Sequence, residues 1–186
     1  MKLPLSPDSD SHGQAGLPPE VERLLLDVAA DGFVLYCCGR RADPTALVAT
    51  YEWEHCVDLL TIRDFDRVTA ARVPAPGPGQ VDVFAPQTVV WAYEGAPQCT
   101  LRALLNLVHP HHPDAPTVEY PAPPRLHIPR AEQRPLTIRP PSPDRAGVRA
   151  ARLAAAMNAH RDGPLVADTE LGIELPTRNA RDQSPR

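Results

Sequence analysis

The stretch FVLYCCGRR, Phe33 to Arg41, decides how the chain is read. Four apolar residues lead into Cys37-Cys38 and then into a Gly-Arg-Arg turn. Consecutive side chains on a strand point to opposite faces. A run apolar at both parities therefore reads as a strand covered on both sides. The same alternation decides the cysteines. Two neighbours facing opposite ways do not close one tetrahedral zinc site, and the chain contains no CxxC pair. Cys37 and Cys38 read as small apolar residues finishing a strand.

Working outward, Pro18-Pro19-Glu20 opens a helix: proline suits the first turn, and Glu20 and Glu22 favour its positive end. Val21, Leu24, Leu25 and Val28 recur at helical spacing, and Asp31-Gly32 closes the helix. Beyond the Arg41 turn, Ala46–Trp53 reads as a second strand and Cys56–Arg63 as a third, with a short helix as its alternative. Phe65–Val73 fits strand or helix. Pro74–Gln80 (PAPGPGQ) is a loop, and Val81–Phe84 a brief pairing segment. Thr88–Tyr93 (TVVWAY) is β-branched and aromatic, hence a strand. Gln98–Val108 is an amphipathic helix, stopped before Pro110. This order predicts an α+β domain: a small, mostly antiparallel sheet of three to five strands with two flanking helices on one face.

The chain of 186 residues carries 24 prolines, more than twice the ordinary ~5% usage. Eleven fall between Pro110 and Pro143. Proline lacks an N–H and breaks helix interiors, so this segment reads as an extended arm that does not pack as a core. Asp144–His160 then has high helix propensity but a thin apolar side, so it either docks on the domain or forms on a partner. The expected organisation is a disordered 1–17, an α+β domain at 18–110, a proline-rich arm at 111–143, a short basic helix at 144–161 and a tail at 162–186.

Charge divides along the same boundaries. Residues 1–120 hold 8 basic and 16 acidic residues, whereas 121–161 hold 8 arginines against Glu132 and Asp144. An acidic head thus carries a basic arm. Arginine outnumbers lysine 18 to one, and valine outnumbers isoleucine 15 to four. That skew is the signature of a GC-rich bacterial genome and lowers the weight of each single arginine. The arm's arginines meet a partner, contact phosphates, or fold back on the chain's own acidic head. A passive, self-repelling linker is the bland counterpart.

Candidate chemistry is sparse. His55-Cys56, Cys99 and the cluster His109, His111, His112 form a composite site only if the second helix packs near the third strand. Such loose clusters do not announce the three or four converging ligands a metal needs. On a strand, Cys56 and His55 face opposite ways, which argues against a nucleophile–base pair. The acids Glu52, Glu54, Asp58, Asp64 and Asp66 read as a solvated face or edge. Tyr51 with Trp53, and Trp91 with Tyr93, share strand faces as core aromatics, with an exposed stacking platform as the sharper alternative. No GxSxG, GxGxxG or Walker loop occurs. The N-terminus MKLPLSPDSDSHGQAG lacks an apolar signal core, and no run of 18 apolar residues occurs. The expectation is a cytoplasmic protein with reduced cysteines.

These features point to a non-enzymatic regulatory or adaptor protein. It engages a protein partner through the domain and the basic arm, at Arg125, Arg130, Arg134, Arg139, Arg145, Arg149 and Arg152. A nucleic-acid-associated regulator using the same arginines is the alternative, and a small Cys/His-dependent or metal-binding enzyme a further one. The leading reading assigns no catalytic residue, metal ligand or cofactor, and no membrane contact.

Overall fold

The computed structural model describes residues 17–40, 42–75, 81–133, 136–139 and 144–161. The expectations for the N-terminal segment up to residue 16, most of the PAPGPGQ loop, Arg134 and the 162–186 tail lie outside the described residues.

Helix α1 (Pro19–Ala30) begins at a proline and carries Glu20 and Glu22 in its first turn. Gly32 follows at φ 95°, a left-handed conformation that favours glycine. A side chain there would also collide with the Arg145 carbonyl oxygen, so this turn admits the later segment only because it has no Cβ. Strands β1 (Val34–Arg40), β2 (Asp43–Glu52), β3 (Cys56–Ile62) and β4 (Val68–Pro74) form an antiparallel meander. The TVVWAY run splits at Val90, whose N–H is donated to the Arg72 carbonyl. The short β5 (Thr88–Val89) leaves to pair with β7 (Tyr120–Pro121), and β6 (Trp91–Gly95) pairs with β4. Helix α2 (Pro97–Leu105), β8 (Leu136–Arg139) and α3 (Val148–Arg161) follow. Among the described residues the main sheet has six strands in the order β6-β4-β3-β2-β1-β8, every neighbouring pair antiparallel.

The expected α+β arrangement stands. Val21 and Val28 of α1 and Leu101 and Leu104 of α2 share one core with Ala49, Tyr51, Leu60, Ile62, Val68 and Ala70 of the sheet. Cys38 is buried and Cys37 half-buried, as strand residues on opposite faces. Val81–Phe84 is a turn, not a paired segment. Among the described residues, no helix is long and apolar enough to cross a membrane.

The arm differs from its expectation. Its β8 supplies the sheet's sixth strand against β1. Leu126 and Ile128, at and just after a single 3-10 turn (Pro124–Leu126), are fully buried. They join Val48, Leu59, Ala71, Val73 and Val89 in a second core on the face opposite the helices. Burying two such side chains contributes roughly 3–6 kcal/mol. The physical reason lies in the prolines themselves: each removes a backbone donor, so a proline-rich chain can lie on an apolar face with few N–H groups left to satisfy. Among those that remain, the Ile128 N–H is met by the Phe84 carbonyl (2.6 Å) and the Ala122 N–H by that of Gln87 (3.0 Å).

Candidate functional site

On the helix face, β2, β3 and β4 run past the ends of α1 and α2. The parity that points Leu60 and Ile62 at the helices also places Asp58 there, directly opposite Tyr51 on β2 and Arg72 on β4. Asp58 is fully buried. Arg72 grips it through two bonds, Nε to Oδ1 (2.7 Å) and Nη2 to Oδ2 (3.0 Å), and the Trp53 indole N–H donates to Oδ2 (2.9 Å).

Helix α3 completes the cluster. Arg149, fully buried, donates to Asp58 Oδ2 from Nη2 (3.0 Å) and Nε (3.2 Å), and from Nη1 to Asp31 Oδ2 (3.1 Å). Its guanidinium lies 5.2 Å from the Phe33 ring centroid and 6.0 Å from those of Tyr51 and Trp53, a cation–π setting. Arg152 adds bonds to Asp31 at 3.0 and 2.5 Å. All three arginines also donate to carbonyls at or beyond the C-terminal end of α2: Arg149 to Leu104, Arg152 to Leu105 and Arg72 to Val108. The Leu104 and Leu105 carbonyls belong to the last turn of α2, at the negative end of its dipole, so cations suit them, and Leu104 also accepts the Leu107 N–H (3.2 Å). Reciprocally, the unsatisfied N–H groups opening α3 reach the Asp31 carbonyl, from Arg149, and the Tyr51 hydroxyl, from Ala150. Burial raises the Tyr51 phenol pKa, although the Ala150 N–H opposes that shift.

Above this cluster lies an open pocket of about 440 Å³. Its floor and walls are Trp53, Cys56, Arg72, Pro74 and Val90, and α3 contributes Ala150. The loop from His109 to Glu119 forms the other wall. His109 packs edge-on against Trp53 (4.9 Å between centroids) and lies 5.2 Å from His111. Burial holds the His109 pKa below the usual histidine range, with His111 and Arg72 adding to the effect. At the rim, one ligand-capable atom from each of Glu54, His55 and His111 lies within 4.8 Å of the others. Of the residues considered for a conditional composite site, His55, Cys56, His109 and His111 line the pocket, whereas Cys99 and His112 do not. Glu54 and His55 occupy the turn between β2 and β3, so strand alternation does not separate them.

The basic residues assigned to a partner are placed differently from one another. Arg149 is a correction: it is wholly inside, paired to the chain's own acids. Arg152 is turned to Asp31, and Arg125 pairs with the exposed Asp64 at 2.8 Å. Arg145 is half-buried beside Gly32, and Arg130 is exposed. Arg139 lies in β8, and Arg134 lies outside the described residues. Folding back on the acidic head is thus the fate of Arg125, Arg149 and Arg152. Sequence reasoning missed Asp31, Arg72, Val90 and Glu119. The available signal was one charge in each of two otherwise uncharged strands, Asp58 in CVDLLTI and Arg72 in VTAARVP, of opposite sign and facing across the ladder.

Burial, reinforced by Asp58, pushes the Cys56 thiol up to about 12, and burial also raises Cys38. A thiol so placed is protonated at neutral pH and is no nucleophile. Labelling of the native protein with a thiol reagent at pH 7.5 is expected to modify exposed Cys99 first and half-buried Cys37 more slowly, leaving Cys38 and Cys56 intact. Because the folded Cys56 pKa lies above its ordinary value of 9.0, the unfolded chain loses that proton first. Stability should therefore fall as pH rises from about 9 to 12, less steeply in Cys56→Ala. Rapid modification of Cys56 by mass mapping would refute this placement.

Comparison with protein-family models, curated proteins and solved structures finds no match to this chain.

Proposed function

We propose that the chain is a small non-enzymatic regulatory protein whose pocket at the end of the sheet binds a small, apolar, ring-bearing ligand. The pocket's composition carries this reading: Trp53, Pro74, Val90, Pro110 and Pro116 supply apolar wall, while His109, His111 and Glu119 place a few polar groups around it. Small-ligand sites commonly take this form, at volumes of about 300–1,000 Å³. Trp53 and the imidazoles offer ring faces and edges to a flat ligand. The chemistry favours binding over turnover, since the Cys56 thiol stays protonated and Asp58 already neutralises Arg72. A protein partner in the adaptor sense would meet the exposed part of the arm, at Arg130. The nucleic-acid alternative loses support because Arg125, Arg149 and Arg152 are engaged with the chain's own acids.

A ligand-observed NMR screen of single-ring and fused-ring fragments tests the reading. Hits are expected to shift the His109 and His111 ring signals. They should be lost in Val90→Trp, whose indole fills the pocket without altering the melting temperature by more than a few degrees. Fragments that bind Val90→Trp as well as wild type, or that leave both histidines unperturbed, would overturn it.

A further inference from the structure

We propose that Glu54, His55 and His111 bind one divalent transition-metal ion of the zinc class at the mouth of the pocket. Two imidazoles and a carboxylate are the donor set that suits zinc and its neighbours, and three protein ligands leave a fourth position open. Ligand bonds of ~2.0–2.1 Å in a tetrahedron set donor atoms ~3.3 Å apart. Glu54 Oε1 and His55 Nε2 already stand 3.6 Å apart, and no pair of donor atoms in the trio exceeds 4.8 Å. All three side chains are exposed, so small rotamer changes close the remaining gap without moving backbone.

The backbones that present them are held. In the β2–β3 turn, the Trp53 N–H donates to the Cys56 carbonyl (2.8 Å) and the Ala75 N–H to the His55 carbonyl (2.9 Å). In the facing loop, the His111 N–H donates to His109 Nδ1 (3.1 Å) and the His112 N–H to the His109 carbonyl (2.8 Å). His109 is itself wedged against Trp53. Two separately braced turns thus bring hard and borderline donors together from positions more than fifty residues apart in sequence, and the pocket supplies room for a ligand at the open coordination position. The inference stands independently of the apolar-ligand reading, because it needs only the three rim side chains.

The test uses full-length, tag-free protein stripped with chelator and titrated with Zn²⁺ against a competing indicator, with metal content measured after dialysis. The expected result is one equivalent of zinc. Glu54→Gln and His111→Asn should each weaken binding at least tenfold, while His127→Gln, at an exposed histidine elsewhere, should bind as wild type does. Since the ligands are surface side chains, the variants should melt as wild type does without zinc. Only wild type and His127→Gln should gain melting temperature when zinc is added. Absence of stoichiometric zinc, or zinc binding by Glu54→Gln and His111→Asn equal to wild type, overturns the proposal. Fragment screening with chelator present separates its failure from failure of the pocket reading.

Discussion

Asp58→Ala will destabilise the protein by about 3–5 kcal/mol, the usual cost of removing one partner from a buried ion pair. Asp58 is fully buried and accepts from Arg72, Arg149 and Trp53. Deleting its carboxylate leaves the buried Arg72 guanidinium without a carboxylate partner and Arg149 with Asp31 alone. Against a total stability of about 5–15 kcal/mol, the variant sits near the edge of folding, and its melting temperature should drop by roughly 10 °C. Asp64→Ala is the matched control. Its pair with Arg125 is half exposed, so the loss should stay below about 1 kcal/mol. Urea denaturation of both variants decides the matter: a loss at Asp58 no larger than that at Asp64 would mean that the cluster is not sealed from water.

Arg149→Ala carries the second large effect, and it is local as well as global. About 3 kcal/mol should be lost, since Asp58 keeps Arg72 and Asp31 keeps Arg152 while both lose a buried cation. Helix α3 should come away with it. Its apolar side is thin, with Leu153 the one buried apolar residue among those described, and a helix of 14 residues is marginal alone. Hydrogen exchange should show protection lost across residues 148–161 while β2, β3 and β4 keep theirs. Limited proteolysis should cut the same segment first. Protection of α3 equal to wild type in Arg149→Ala would show that the helix is docked by apolar contact and not by its arginine.

The cluster has a consequence for the pocket above it. Trp53 is tied to Asp58 through its indole N–H, and Arg72 spans from Asp58 to the Val108 carbonyl just before the histidine loop. The pocket floor is therefore built on buried charge pairs. Such pairs add little net stability compared with apolar packing, but they set the position of each group through directional bonds. The floor tryptophan and the entry to the loop are held by the same carboxylate–guanidinium geometry.

Periodicity carried the reading of elements well because it is local. Pro19 and Gly32 mark the ends of α1, the apolar run from Phe33 marks β1, and Leu101 and Leu104 mark the buried side of α2. It carried the candidate site less well. Glu54 and His55 sit in a turn, where strand alternation does not apply, and Leu126 and Ile128 are two apolar residues among prolines, too few for any periodic signal. Sequence alone reads the acidic set as solvated, and Asp64 fits that, with its pKa lowered by the Arg67 N–H and by Arg125. Asp58, six positions earlier, is the opposite case, because the sheet's neighbours on both sides bury it.

The amino-acid order by itself determined the succession of helix, strands and helix, the strand character of Cys37-Cys38, and the basic and acidic division of the chain. Each of these follows from neighbouring residues and from simple counts. Only the tertiary structure decided that Arg149 meets an aspartate 91 positions away, that a proline-rich segment becomes the second cover of the sheet, and that histidines from two turns frame one pocket. Those outcomes depend on which surfaces close against each other over long loops, and the charge of an arginine is the same whether it ends in water or inside a core.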